Sequence, residues 1–215
     1  MSPGIDTART RLNQLLGDAG LDELDDGLAQ HFEVYLSLIL RWNAHMNLTA
    51  IRDEDGVLSR HFVESIACAR RLPVGIGTLL DFGSGAGFPG VPIALCRPEI
   101  AVTLAESQAK KAAFLHEAVR VLRIGAKVHS GRAESLRSEF DCLTMRAVDK
   151  MVIAVQKAGR LVRPGGWLVL MTSGADLERF KEAVGAEFRW EDPTRIAGAE
   201  QRLLALGKRN VSMPA

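Results

Sequence analysis

The chain has 215 residues, enough for one large domain or a core with a modest extension. Its 27 Lys+Arg nearly cancel 26 Asp+Glu for a net charge of +1, and 47% hydrophobic with 25% charged residues is ordinary globular usage, which excludes a disordered chain. No apolar run approaches the ~18–20 residues of a membrane span. The three cysteines, Cys68, Cys96 and Cys142, are too far apart for a disulfide framework or a zinc site. The expectation is a soluble cytoplasmic protein without a metal. Charge is uneven along the chain: residues 1–75 carry 7 basic and 11 acidic side chains (−4), and residues 76–215 carry 20 and 15 (+5). That asymmetry permits a nucleic-acid partner without requiring one.

The first seventy residues read as helices. Ile5, Ala8, Leu12, Leu15, Leu16 and Ala19 recur at helical spacing, and Leu28, Phe32, Tyr35, Leu36, Ile39, Trp42 and Met46 repeat it more strongly. A connector, Asn47 to Arg52, breaks the period. A third helix is predicted from an N-cap near Asp53, carrying Val57, His61, Phe62, Ser65 and Ala69. Pro73, Gly75 and Gly77 mark a boundary, dividing a helical extension (1–73) from a core domain (74–215).

Beyond it, apolar runs alternate with helical segments. Seven strands are predicted, at Thr78–Phe82, Ala101–Ala105, Lys127–Ser130, Phe140–Met145, Trp167–Met171, Glu187–Trp190 and Arg202–Leu206. Helices are expected up to Cys96, over Ala109–Leu122, over Val148–Leu161 and near Leu177–Val184, with Pro164-Gly165-Gly166 as a tight turn into the fifth strand. Alternation of strand and helix implies a mostly parallel sheet covered on both faces. No helix separates the last two strands, so the sheet should end in an antiparallel hairpin.

The most informative segment is Asp81-Phe-Gly83-Ser-Gly85-Ala-Gly87-Phe88-Pro89-Gly90. Alternate glycines after a first strand let backbone approach a ligand closely, at the sheet edge where open α/β folds bind ligands. Two readings compete. Gly85, Gly87 and Gly90 satisfy GxGxxG with Glu106 about twenty residues on, as in a nicotinamide dinucleotide site. Asp81 with Gly83, Gly85 and Gly87 equally resembles the DxGxGxG turn of class I methyltransferases, with Glu106 accepting from the ribose of S-adenosylmethionine. Pro89 and Pro92 favour the second, because they remove helix N-terminal N–H donors that a pyrophosphate would use. A P-loop is excluded, since no Lys-Ser/Thr follows Gly90.

Other residues carry a bland reading beside the functional one. His116-Glu117-Ala-Val-Arg120 lacks the second histidine of HExxH and reads as helix surface. Arg146, ending the fourth strand, reads equally as a site residue or a structural ion pair. Ala133-Glu134 is placed to reach an adenine edge, or is simply an acid at a helix start. Arg52, Arg60, His61, Lys110, Lys111 and Lys150 each alone read as solvated surface charges, and as RNA phosphate contacts only if they cluster beside the pocket.

With these residues in view, the chain from about residue 30 onward resembles the GidB/RsmG family of bacterial small-subunit ribosomal RNA guanine-N7 methyltransferases. The specific pieces are Trp42-Asn43, Asn47-Leu48-Thr49-Ala50-Ile51, Arg60-His61-Phe62 with Glu64-Ser65, and the glycine turn; Arg132-Ala-Glu134 and Met145-Arg146-Ala147 are less specific. The resemblance implies a class I methyltransferase fold with an N-terminal helical extension. It implies cofactor contacts at Gly83, Phe88, Ala133, Glu134 and Arg146, joined by Asp81, Gly85, Gly87 and Glu106 from the turn. The implied partner is 16S ribosomal RNA or the small subunit, methylated at a guanosine in a decoding-centre loop. A monomer is the separate expectation.

Guanine N7 is an acceptor with an in-plane lone pair, so its methylation needs no general base. The chain accordingly has no Asn-Pro-Pro-Tyr signature for an exocyclic amine. Arg146 is expected to position cofactor or RNA oxygens rather than touch N7. A nicotinamide-dependent oxidoreductase and a non-catalytic RNA-binding protein on the same scaffold are the alternatives. The first lacks a placed catalytic His or Tyr, and the second would be expected to have a degraded turn.

Overall fold

A computed structural model describes residues 7–148, 150–196 and 202–211. Ile5 of the first helical pattern lies outside them. The extension begins with α1 (Ala8–Asp18) and α2 (Asp26–Asn43), capped by the Thr7 and Asp25 side chains. Asp53 caps α3 (Glu54–Val57) by accepting from Gly56 N at 2.7 Å. The chain continues without a break through a π-helical segment (Leu58–Val63) into α4 (Glu64–Arg71). The single predicted helix therefore exists, with one widened stretch that carries Arg60 and His61. Such π insertions accompany functional sites more often than chance.

The core alternates as predicted: β1 (Thr78–Phe82), α5 (Gly90–Cys96), β2 (Ala101–Glu106), α6 (Ala109–Leu122), β3 (Lys127–Ser130), β4 (Phe140–Arg146), α7 (Met151–Gly159), β5 (Val162–Ser173), α8 (Gly174–Val184), β6 (Phe188–Trp190), β7 (Thr194–Arg195) and β8 (Arg202–Arg209). The strands form one sheet in the order β3-β2-β1-β4-β5-β8-β6. β1 through β5 are parallel, and β8 runs antiparallel between β5 and β6. The order reverses between β1 and β4, which opens a crevice at their carboxyl ends.

Two expectations need correction. The sheet has eight strands rather than seven, because Thr194–Arg195 pairs with β8 as a two-residue strand too short to leave a periodic signal. Pro164-Gly165-Gly166 is not a turn before the fifth strand but lies inside it. Val162 already pairs with Phe140, and Trp167 pairs with Cys142, so β5 advances five residues while β4 advances two. Gly165, at φ 77°, accommodates that bulge.

Two apolar layers flank the sheet. The extension, α5 and α6 share one continuous core with one face, including Phe32, Tyr35, Phe62, Phe88 and Phe114. On the other face α7 and α8 bury Leu80, Met145, Val155, Leu170 and Phe180. All three thiols are free. Among the described residues no helix is long and apolar enough to cross a membrane.

Candidate functional site

The glycine turn leaves β1 at the crevice, and buried polar groups shape it from below. The Asp81 carboxylate is 1% exposed, accepts from Thr144 Oγ1 at 2.9 Å and from Gly90 N at 3.2 Å, and so ties β1 to β4 and to the start of α5. Burial raises its pKa to about 6, against the hydrogen bonds that lower it. A Cβ at Gly90 would stand 2.4 Å from Leu104 Cδ2 and 2.6 Å from Asp81 Oδ2, so only glycine fits above that carboxylate. Gly83, Gly85 and Gly87 all have positive φ, which is what that spacing of glycines serves.

Glu106, ending β2, is also buried. Its two oxygens accept from Gly85 N at 2.9 Å and Gln108 N at 2.7 Å, leaving further lone pairs for a ligand. The extension grips the turn from outside. Tyr35 Oη donates to Ala86 O, and Phe88 packs against the Tyr35, Phe62 and His61 rings at 5.6, 5.9 and 4.5 Å between centroids.

Beside the turn, on the α7 face of the sheet, a cleft of about 280 Å³ opens. Gly83, Ala133, Glu134 and Lys150 line it together with Ala105, Arg132 and Val148. The cleft thus gathers four of the residues predicted from sequence. Burial raises the Glu134 pKa, but its own backbone N–H and the Lys157 ammonium, at 3.0 Å, outweigh that and lower it overall.

On the opposite face, at the end of β4, stands a buried polar network. Arg146 is 8% exposed; its Nη2 donates to Arg60 O at 2.8 Å and to His61 Nδ1 at 3.1 Å, and lies 2.7 Å from Glu64 Oε2 in an ion pair. Arg202 Nε approaches the other Glu64 oxygen at 3.5 Å. Burial raises the Glu64 pKa despite these arginines, and burial lowers that of Arg146 despite Glu64. Arg146 Nη1 is buried with no hydrogen-bond partner. The ion-pair reading of Arg146 is therefore real, and the same guanidinium keeps a donor in hand.

His61 differs from its sequence reading. Burial, then the Arg146 and Arg202 charges, lower its pKa to about 3. A neutral ring with one nitrogen taken by Arg146 and the other by Thr49, at 2.8 Å, offers no cation to a phosphate. Arg52, Arg60, Lys110 and Lys150 are exposed and Lys111 is half-buried. The Arg52 guanidinium bonds the Asn47 side chain at 2.8 Å.

Sequence reasoning singled out neither Glu64, Thr49 nor Arg202 as a site residue. Glu64 and Thr49 lie within the motifs that carry the family resemblance, and a carboxylate among Phe62, Val63, Ser65 and Ile66 was a visible signal of a buried partner. Arg202 had no local signal, since only the pairing of β8 with β5 brings it to the crevice.

Comparison with known proteins agrees with this architecture. The chain matches the GidB family, rRNA small subunit methyltransferase G, over residues 28–191. It is 44% identical over 151 residues to ribosomal RNA small subunit methyltransferase G of Xanthomonas euvesicatoria pv. vesicatoria (strain 85-10), covering 69% of this chain and 70% of that one. It is 41% identical over 191 residues to the protein of that name from Stenotrophomonas maltophilia (strain K279a), covering 87% and 88%. Among solved structures, TrmN from Thermus thermophilus superposes with a TM-score of 0.56 at 19% identity, over 70% of this chain and 53% of that one. The T. thermophilus 16S rRNA N2 G1207 methyltransferase, solved with AdoMet and guanosine, gives 0.54 at 17%, over 71% and 40%. These likenesses establish the methyltransferase fold, and the nicotinamide oxidoreductase reading of GxGxxG falls with them. Matched by the family model over residues 28–191 and by relatives 41–44% identical to it, the chain belongs to the GidB family of small-subunit ribosomal RNA methyltransferases.

Proposed function

We propose that this enzyme transfers the methyl group of S-adenosylmethionine to N7 of a guanosine in a decoding-centre loop of 16S ribosomal RNA. Methylation of small-subunit ribosomal RNA follows from family membership. The position on the base is our reading, and one observation carries it: each acid and the histidine around the glycine turn already has a hydrogen-bond or ion-pair partner. Asp81 is shared between Thr144 and Gly90, Glu106 holds Gly85 and Gln108, Glu134 holds Lys157, Glu64 pairs with Arg146, and His61 Nδ1 accepts from Arg146. A reaction that must remove a proton would want one of them free. Attack by the N7 lone pair moves no proton: the N7–CH3 bond forms, the sulfonium C–S bond breaks with its electron pair leaving on sulfur, and the positive charge passes to the purine.

Bound S-adenosylmethionine supplies the electrophilic methyl. The residues present fit it. The turn offers backbone that no Cβ obstructs, and the cleft gives Ala133 and Glu134 as adenine contacts. Glu106 retains lone pairs for ribose hydroxyls, and Gly83, Gly85, Gly87 and Phe88 form the wall with Asp81 bracing them from beneath. The unpartnered Nη1 of Arg146 is a donor for a cofactor or RNA oxygen. The ion pair with Glu64 offsets Arg146 where both the sulfonium and the product base are cationic. What these residues provide is alignment in a fixed environment, an effect that can be worth about 7–11 kcal/mol.

A-form RNA hides N7 in a groove too narrow for side chains, so the target must lie in a loop or turn outward. Arg52, Arg60, Lys110, Lys111 and Lys150 are the phosphate contacts we assign.

The test is transfer of labelled methyl to 16S RNA, free and in small subunits lacking the modification, followed by digestion. Labelled 7-methylguanosine at one site is the expected product. Label on another atom would refute the N7 reading while keeping the enzyme class, and no transfer despite intact cofactor binding would keep the fold and move the substrate elsewhere.

A further inference from the structure

The network at the end of β4 has a direction. Arginine has no acceptor, so His61 Nδ1 must accept from Arg146 Nη2 at 3.1 Å, and the ring proton must then sit on Nε2. His61 Nε2–H therefore donates to Thr49 Oγ1 at 2.8 Å. Thr49 Oγ1 also accepts from Ile51 N at 3.2 Å. Both lone pairs of the hydroxyl are filled, so what Thr49 has left to offer is its proton, and among the described residues no group accepts it. Thr49 is only half-buried, which leaves that proton open to an incoming group.

Its position is held from two sides. The Asn43 side chain accepts from Leu48 N and Thr49 N at 3.0 and 3.1 Å and donates to Ile51 O at 3.0 Å. His61 is stacked on Phe88 of the glycine turn. The cleft assigned to adenosine lies on the α7 face of the sheet, whereas Arg146, His61 and Thr49 lie on the opposite face, toward the extension. A donor so placed, with each link polarising the next, suits an acceptor oxygen of the target nucleotide.

We propose that the Thr49 hydroxyl donates a hydrogen bond to O6 of the target guanine, registering the base so that N7 faces the methyl group. O6 and N7 are the two acceptors on the same edge of guanine. The inference rests on the N7 reading above.

The experiment is a cycle of two enzymes and two substrates. Wild type and Thr49→Val are assayed on small subunits carrying guanine, or 2-aminopurine, which keeps N7 but lacks O6, at the target position. On guanine, Thr49→Val should lower kcat/KM about 10–100-fold. On 2-aminopurine the two enzymes should agree within about twofold, and Thr49→Ser should restore activity on guanine. Cofactor affinity by calorimetry should stay within about threefold for both variants. Equal losses on both substrates would show that Thr49 acts only by supporting His61 and overturn the proposal, as would no loss on guanine. Digestion of the wild-type product separates the two levels: if 7-methylguanosine is absent, the N7 reading fails first and takes this one with it.

Discussion

Tyr35 Oη donates to Ala86 O at 2.5 Å and stands 2.5 Å from where a Cβ on Gly87 would be. A helix of the extension therefore closes on the glycine turn with no room between them. Tyr35→Phe should cost about 1–3 kcal/mol, because it leaves the Ala86 carbonyl unpaired. Gly87→Ala should cost more, since it adds a collision with Tyr35 and Val91 Cγ2 to a backbone at φ 91°. Chemical denaturation checks the order, and calorimetry should show weaker cofactor binding for Gly87→Ala. Equal stability of the alanine variant and wild type would contradict the packing argument.

Arg146 joins the core to the extension through one guanidinium nitrogen. Arg146→Ala leaves Glu64 buried with only Arg202 at 3.5 Å, so a destabilisation of about 3–5 kcal/mol is expected, with cofactor affinity falling as well. Arg146→Lys should not rescue cofactor binding, because a point ammonium cannot reproduce the planar fork that reaches Arg60 O and His61 Nδ1. Rescue by lysine would show that charge alone matters here.

Asp81 sets a pH dependence. Its folded pKa, about 6, lies above its ordinary value of 3.8, so between those values the native state binds more protons than the unfolded chain. Stability from this group is full below pH 4 and is lost as pH rises to about 6, by about 3 kcal/mol. Asp81→Asn removes that titration. The stability of the variant relative to wild type should improve from pH 4 to pH 6, as measured by denaturant melts across the range; a constant difference would mean the carboxylate does not titrate there.

His61 has the opposite sign. Its folded pKa of about 3 lies below the ordinary 6.5, so acidification through that window favours the unfolded chain, and stability from this ring rises from pH 3 to 6.5. Its ring resonances should stay constant from pH 8 down to about 5. A titration midpoint near 6.5 would place the ring in solvent and break the chain from Arg146 to Thr49.

Arg60 separates two roles along one residue. Its carbonyl serves Arg146, whereas its exposed side chain is a proposed phosphate contact. Arg60→Ala should leave cofactor affinity unchanged and reduce the slope of log K against log salt for RNA binding by about 0.7–0.9. An unchanged slope would remove it from the interface.

Local pattern alone determined the alternation of strands and helices, the helix over Ala109–Leu122, the Asp53 cap and the glycine turn, because hydrophobic period, caps and glycine spacing are properties of neighbouring residues. It also carried the family, since Asn47–Ile51, Arg60–Phe62 and Asp81–Gly90 are contiguous motifs. It misread Pro164-Gly165-Gly166 as a turn, because a bulge inside a paired strand and a turn before one use the same residues. Only the tertiary structure decided that Asp81 faces inward, that His61 is a neutral link rather than a cation, and that Glu64 lies between Arg146 and Arg202. Those groups are up to 141 positions apart in the chain, counting His61 to Arg202, and their protonation depends on burial and on charges that folding brings together.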